Sequence, residues 1–369
     1  DRLLQGITVV DPACGSGSFL IGMLQVLDDL VQRSDTVLGR LESPYERRKR
    51  IIGQSLYGVD VMRWAVDVAE LRLWLQLVIE TEILPGELKL RPLLPNLTFK
   101  IRRGDSLVQE IGGIDMAHRK GSPVIPPALK GRLTKLKGEK LKFYNNDIQA
   151  KFQSQNEIEQ EERRLFQDIF EARKLELVNR MKDANRALET NTDLYGDTVS
   201  LVDGKTRKAT EEEKDAIAAE LVQAQTALDA LARTKETPFV WDIAFVEIFT
   251  GDSKGFDIVI GNPPYVRQEA ISDPMLAREK VTTAGKKQYK EKLIRSVYRL
   301  WPMFFGANPE KPDYKINAKS DLYIYFFFHG LWLLNDKGSF CFITSNSWLD
   351  VGYGKDLQEF LLKHGHVNC

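Results

Sequence analysis

The sequence predicts an α/β protein: an open parallel sheet with helices on its faces and a long helical-hairpin insertion between its third and fourth strands. Three observations carry this. Short apolar runs alternate with stretches of helical periodicity up to about Glu110 and again after Pro238. The first three runs stop in an acid and the fourth in Gly-Asn-Pro-Pro. Between the two α/β stretches, Asn146 to Arg233 turns into long, charged, heptad-like helix.

The elements follow in order. Ile7 to Asp11 reads as a strand that enters Pro12-Ala-Cys-Gly-Ser-Gly-Ser18, and from Gly17 an apolar periodicity (Leu20, Leu24, Leu27, Val31) marks a helix. Strand, small-residue turn and helix N-terminus make a dinucleotide-type unit, in which glycine lets backbone approach a ligand closely. Ser55 to Asp60 is a second strand ending in an acid, suited to accept both hydroxyl protons of a ribose diol or to cap the next helix. That helix has Ala65, Val68, Leu71, Leu75 and Val78 spaced as one face. A third strand, Leu97 to Arg102, runs into Gly104-Asp105-Ser106.

From Glu110 the character changes. Ser122 to Pro127 is loop and Lys130 to Lys142 is strongly basic. A first long helix carries the stripe Ile158, Leu165, Ile169, Ala172, Leu175; a polar stretch around Gly196 and Asp203 separates it from a second with Ile217, Leu221, Ala224, Leu228 and Leu231. This predicts an antiparallel hairpin folded independently of the sheet, a solvated arm or a packing surface for a neighbouring domain. The α/β pattern resumes at Pro238, and Phe256 to Ile260 is a buried strand that stops in Gly261-Asn-Pro-Pro-Tyr265. A basic stretch interleaved with aromatics (Arg267 to Trp301) suits either helix solvation or an extruded nucleotide. Ser320-Asp321 caps an apolar helix to Leu334, Asn335 to Gly338 is a turn, Ser339 to Thr344 is a fifth strand, and Asp356 to Leu362 is a last helix.

Composition sets outer bounds. At 369 residues and 43% hydrophobic, the chain exceeds the usual single-domain size. Division into 1–110, 111–237 and 238–369 gives two parts of one sheet domain around the insertion, with the last part incomplete at its C-terminal side. The net charge of +0 excludes a global polyanion-binding field. Cys14, Cys341 and Cys369 match no metal or disulfide spacing, which predicts a reduced, cytoplasmic protein, and the four histidines are expected to be structural. No metal site and no membrane span are expected; Phe326-Phe-Phe328 falls in a short helix. Glu87-Leu-Lys89 has the form of a nuclease signature but lacks an upstream acid. A chain opening on Asp1 and closing just past a helix is expected to be part of something larger.

Proline fixes φ, lacks an N–H and forces the residue before it into extended conformation. The backbone after Gly261 is therefore stiff and keeps carbonyls free of any ladder. The Asn262 side-chain oxygen and the Pro263 carbonyl can then accept both hydrogens of a planar amino group. That localises a lone pair otherwise delocalised into a ring and aims it at an electrophile, which suits methyl transfer. Tyr265 offers a stacking face.

In this order, Asp11-Pro-Ala-Cys-Gly-Ser-Gly-Ser-Phe-Leu20, Tyr57-Gly-Val-Asp60, Gly104-Asp-Ser106, Phe239-Val-Trp241 with Gly255-Phe-Asp257, Gly261-Asn-Pro-Pro-Tyr-Val-Arg267 and Asp321-Leu-Tyr323 resemble the motifs of gamma-class DNA adenine methyltransferases. In particular they resemble type IIG restriction–modification and phage-defence enzymes. The resemblance covers Ile7 to Ser106 and Phe239 to about Leu362, and implies a Rossmann-like S-adenosylmethionine-dependent methyltransferase sheet. It implies that Asp11, Ala13, Cys14, Gly15 and Gly17 surround the methionine part of S-adenosyl-L-methionine, that Asp60 and Val61 meet its ribose side, and that Asp105 and Ser106 meet its adenine. Asn262, Pro263, Pro264 and Tyr265 would hold an adenine flipped from double-stranded DNA. The helix before the first motif, the final strand pair, a target-recognition domain and an N-terminal nuclease would lie outside this chain. Asn-Pro-Pro-Tyr also occurs in enzymes that methylate glutamine amides of release factors or guanine of ribosomal RNA. A third alternative is a cofactor-gated, non-catalytic component of a defence assembly.

Overall fold

The computed structural model describes residues 4, 6–80, 95–116, 126, 129–188, 190–192, 198–200, 204–234, 236–249, 254–350 and 352–366. Most of the loop expected at Ser122 to Pro127, Glu87 to Lys89, and His118 and Cys369 lie outside these residues. Strands β1 (Val9–Asp11), β2 (Leu56–Asp60) and β3 (Ile101–Arg103) come first, followed by two small hairpins, β4–β5 (Glu110–Ile111, Ile114–Asp115) and β6–β7 (Thr190–Thr192, Thr198–Ser200). Then come β8 (Phe256–Gly261) and β9 (Leu334–Phe342). The sheet is five-stranded, order β3-β2-β1-β8-β9, and every pairing in it is parallel. The order reverses between β1 and β8. In such sheets the crevice at the carboxyl ends of the two strands flanking the reversal is where ligands bind.

Two helical layers cover the sheet, as side chains that alternate along each strand require. On one face Val9, Leu56, Ile258 and Ile260 pack with helices α1 (Ser18–Leu38), α2 (Pro44–Ser55) and α3 (Arg63–Val78). On the other, Val10, Tyr57, Val59, Phe256 and Val259 meet Trp241, Phe245 and Leu333. Helix α3 departs from expectation. Its buried face is Ala65, Val66, Ala69, Leu73 and Leu77, while Leu71, Leu75 and Val78 are exposed together with Trp64. Two apolar stripes compete on this helix, and small Ala65 and Ala69 win because Gly17 presses against Ala69 there.

The insertion contains a helix the sequence reading left as a basic stretch, α4 (Lys130–Tyr144), then α5 (Gln155–Ala187) and α6 (Gly204–Arg233). The stripe on α5 runs through Ile158, Leu165, Phe166, Ile169, Phe170 and Leu177, with Leu175 exposed. The base of the hairpin is not detached: Ile158, Leu165, Phe166, Ile169 and Phe170 share one core with Ile111 and with Phe99, Val240 and Ile243 of the sheet domain. Arg102 of β3, Lys140 of α4 and Glu162 of α5 form a buried ionic cluster, with N–O distances of 2.7 and 2.6 Å to the glutamate. Part of the positive charge of Lys130 to Lys142 is matched within the protein: Lys140, which is buried, also donates to the Ile243 and Ala244 carbonyls, and Arg132 pairs with Glu161 and Asp168.

The short helices α7 (Trp241–Ala244) and α8 (Val246–Phe249) lead into β8, and α9 (Thr283–Leu300), α10 (Pro302–Phe305) and α11 (Leu322–Leu333) link β8 to β9. Helices α12 (Ser347–Asp350) and α13 (Lys355–His364) follow. Helix α11 is buried nearly all round, which is why Phe326 to Phe328 is so apolar. The expected turn at Asn335 to Gly338 is instead a bulge inside β9, because Phe256 pairs with Leu334 while Ile258 pairs with Ser339.

Candidate functional site

The turn after β1 is tied down by its own neighbours. Asp11 is buried, and its Oδ1 accepts from the Ala13 N–H at 3.0 Å. Gly261 of β8 has to lack a side chain, since a Cβ there would come within 2.7 Å of that same oxygen. Burial pushes the Asp11 carboxyl up to about 7, the Ala13 hydrogen bond opposing and the nearby Asp60 charge adding to it. Cys14 is buried, its N–H donating to the Val59 carbonyl, and its thiol is pushed well up by burial and by the charges of Asp11 and Asp60. It is therefore an inert packing group rather than a nucleophile. Gly15 adopts φ +52°, and a Cβ there would meet nothing, so its backbone faces open space; Gly17, at φ +76°, is instead pinned against Ala69.

Asp60 ends β2 with both oxygens engaged: Oδ2 accepts from the Gly15 N–H at 2.9 Å and Oδ1 from the Met62 N–H at 2.8 Å. It holds the glycine turn in place and keeps further lone pairs for a ligand. Val61, the next residue, is half-buried beside it. After β3, Asp105 is half-buried and Ser106 is buried, its hydroxyl donating to the Pro12 carbonyl at 2.5 Å. Ser106 thus fastens the third turn to the first and is not free to meet a ligand through its hydroxyl. Asp105 accepts from the Leu107 and Val108 N–H groups and from the Tyr289 hydroxyl; burial nonetheless pushes it up to about 6.

Asn262 is exposed and Pro263 buried just after Gly261, the β8 residue that lies against Asp11 across the sheet reversal. The Gly261 carbonyl accepts from Ile343 N–H and the Pro264 carbonyl from Val266 N–H. Among the described residues, neither the Asn262 side chain nor the Pro263 carbonyl is committed elsewhere. Tyr265 is half exposed, its hydroxyl donating to the Ile343 carbonyl at 3.0 Å and its ring 6.2 Å from that of Tyr323. Asp321 does not cap α11 with its side chain; it accepts from the Gln268 N–H instead, while Leu322 N–H donates to the Val266 carbonyl. The Asp321-Leu-Tyr323 motif therefore grips the segment that follows Tyr265.

The sheet thus gathers the acid-and-glycine turn, Asp60, Asp105 and the Asn262 turn along one edge. A cleft of about 400 Å³ opens beside Asp105, lined by Arg63, Glu70, Gly104, Phe239 and Met275 among others; of the expected site residues only Asp105 lines it. The family model for the Eco57I restriction-modification methylase matches residues 54–369. The chain belongs to that family. A protein of Methanocaldococcus jannaschii, provisionally named a type II restriction enzyme and methyltransferase, is 30% identical over 282 residues, covering 71% of this chain and 22% of the relative. Type II methyltransferases of Geobacillus stearothermophilus and Pseudomonas aeruginosa are 30% and 29% identical over 112 residues, 30% of this chain and 15% and 14% of theirs. The chain therefore spans about a fifth or less of the curated relatives it matches.

Within this Eco57I-family site, two residues to which the sequence reading gave no site role hold the third turn. Trp241 donates from its indole to the Ser106 carbonyl, while its N–H donates to the buried Gln109 side chain. Tyr289 binds Asp105. Trp241 had a signal in Phe239-Val-Trp241; Tyr289 sits 184 residues from its partner and had none beyond being one aromatic among several. The basic stretch is narrower than its sequence suggested: Lys292, Arg295 and Arg299 pair with Glu110, Glu310 and Asp115. Lys286 and Lys290 donate to backbone carbonyls of Glu269 and Gln268. Arg267, Lys280 and Lys287 remain exposed on this side. Among the described residues no helix is long and apolar enough to cross a membrane, and no cluster of His, Cys, Asp and Glu could hold a metal ion.

Proposed function

We propose that this chain is the methyltransferase part of a restriction–modification or phage-defence enzyme, and that it transfers a methyl group from S-adenosyl-L-methionine to the N6 amino group of adenine in DNA. One observation carries the reading: Asn262-Pro-Pro-Tyr265 ends β8 directly across the strand reversal from the acid-and-glycine turn that ends β1. Two half-sites, one for a cofactor and one for a planar base, meet at one crevice.

The residues present fit the cofactor. It is cationic at its sulfonium and its amino group, and Asp11 and Asp60 bring two carboxylates near each other, neither of which forms an ion pair among the described residues. Gly15 leaves space for close approach of backbone. Asp11, Ala13, Cys14, Gly15 and Gly17 would line the methionine part, Asp60 and Val61 the ribose, and Asp105 with the Ser106 turn the adenine. When bound, the cofactor supplies an electrophilic methyl group. Asn262 Oδ1 and the Pro263 carbonyl would accept the two hydrogens of the target amino group, Pro264 would keep that backbone stiff, and the Tyr265 ring would stack on the base. The base must leave the duplex to reach them, so the partner is double-stranded DNA with a flipped adenine. The relatives' names support DNA over a glutamine amide or RNA guanine as substrate. Residues 1–110 and 238–369 would form the methyltransferase domain around the 111–237 insertion, with nuclease and target-recognition domains elsewhere in the polypeptide.

The test is single-turnover methylation by the full-length protein carrying Asn262→Ala, with labelled cofactor. The rate should fall by about 10²–10³-fold, as for loss of one preorganised group at the reacting centre, while cofactor affinity changes little. A wild-type rate would remove Asn262 from the mechanism.

A further inference from the structure

Asp105 is held on both oxygens. Oδ1 accepts from the Leu107 and Val108 N–H groups at 2.9 and 3.2 Å, and Oδ2 accepts from the Tyr289 hydroxyl at 2.7 Å. A carboxylate offers about four acceptor positions. Three are filled, and the fourth, on Oδ2, belongs to a residue that lines the 400 Å³ cleft. Tyr289 arrives from α9, the helix that follows the Asn262 turn, although Asp105 belongs to the cofactor half.

We propose that Tyr289 is a positioning residue: it holds Asp105 as a pure acceptor with one open lone pair, so that the site selects a cofactor base bearing an amino group over one bearing a carbonyl. This rests on the reading above in which Asp105 meets the adenine of S-adenosylmethionine. The geometry is fixed from several sides. The Tyr289 ring is buried in a core shared with Leu107, Leu293 and Val297. Ser296, two turns along α9, donates to the Leu107 carbonyl at 2.7 Å and so braces the backbone beneath Asp105. Lys290 ties the same helix to the Gln268 and Ala318 carbonyls. Burial and the charge of Asp273 favour a protonated Asp105, and the hydrogen bonds from Tyr289, Leu107 and Val108 oppose them. Without the Tyr289 hydroxyl the second acceptor position on Oδ2 is no longer filled and the carboxyl shifts toward its protonated form, whose hydroxyl suits a carbonyl better than an amino group.

Tyr289→Phe in the full-length enzyme removes the hydroxyl and keeps the ring. Calorimetry would compare S-adenosylmethionine with its 6-oxo analogue, S-inosylmethionine. The wild type should prefer the amino form by about ten- to a hundredfold, the range for one hydrogen bond to a charged group. In the variant that preference should collapse, with the amino form weakened and the oxo form unchanged or strengthened. Equal weakening of both ligands with the preference intact overturns the proposal and leaves Tyr289 a packing residue. A wild type that shows no preference overturns the assignment of Asp105 to the amino group itself, and the role of Tyr289 with it.

Discussion

Asp11 is a carboxylic acid with almost no access to water, 1% exposed, and with another carboxylate close by. Its carboxyl is pushed up to about 7, so in the absence of ligand its ionised form is disfavoured. A bound cation reverses this. Binding S-adenosylmethionine should therefore release a proton between about pH 4, the ordinary aspartate value, and pH 7, and affinity should rise with pH across that window before levelling. Calorimetry in two buffers of different ionisation enthalpy counts the proton; no release would mean that Asp11 never faces the cofactor's charge. Asp60 differs, because its oxygens already hold the Gly15 and Met62 N–H groups. Asp60→Ala should weaken cofactor binding by about 1.5–3 kcal/mol, the value of hydrogen bonds to a charged group. If a cofactor analogue lacking the ribose hydroxyls loses just as much affinity in the variant as the natural one does, the loss comes from the loosened turn and not from the ribose. Tyr265→Ala should cost a stacking platform worth roughly 1–3 kcal/mol, read as reduced fluorescence of 2-aminopurine at the target position.

At the scale of elements, the hairpin is built in two parts. Its base carries Glu162, facing Arg102 and Lys140. Glu162→Ala would strand two buried cations and should destabilise the fold by about 3–5 kcal/mol, measured by denaturant unfolding. A change within 0.5 kcal/mol of zero would mean that water reaches the cluster. Removing residues 146–233 would bare Phe99, Ile111, Val240 and Ile243, and is expected to unfold the sheet domain. Trimming 181–212 alone leaves that shared core intact and should keep cofactor affinity near wild type. Charge density was a poor guide to the α4 segment because Lys140 buries its stem while its ammonium group reaches Glu162 and the Ile243 and Ala244 carbonyls.

For the whole molecule, neutral net charge hides several carboxyl groups that burial keeps from water. Asp11, Glu70 and Asp242 are each pushed up to about 7, in every case mainly by burial, and Asp105 to about 6. Raised carboxyl groups favour the folded state when protonated. Their contribution is full below the unfolded value near 4 and is lost as pH rises through 7. Without cofactor, the melting temperature should fall between pH 5.5 and 7.5, by an amount reflecting a few kcal/mol at most. Saturating S-adenosylmethionine should flatten the fall, since Asp11 is then stabilised as an anion. A melting temperature that rises over that interval would contradict the burial of these groups.

The strands, their acidic ends and the Gly-Asn-Pro-Pro stop were legible in the sequence because each is dictated locally, by side-chain period, by glycine's freedom and by proline's fixed φ. So was membership of a methyltransferase class, since ordered motifs of this kind depend on chain order alone. Which face of α3 is buried was not legible, because two stripes of similar apolarity lie on one helix and the neighbour at Gly17 chooses between them. Nor was the anchoring of the hairpin or the internal pairing of its basic segment, since charges cancel between partners 60 residues apart such as Arg102 and Glu162. The reversal of strand order between β1 and β8 is a property of pairing across more than 200 residues, and no local signal encodes it. That reversal sets Asp11 beside Gly261, the residue before Asn262, and a hydrogen bond spanning 184 residues sets Tyr289 on Asp105; the residue types were readable one by one, but contacts and hydrogen bonds act over about 3 Å of space, and only the folded chain brings these groups together.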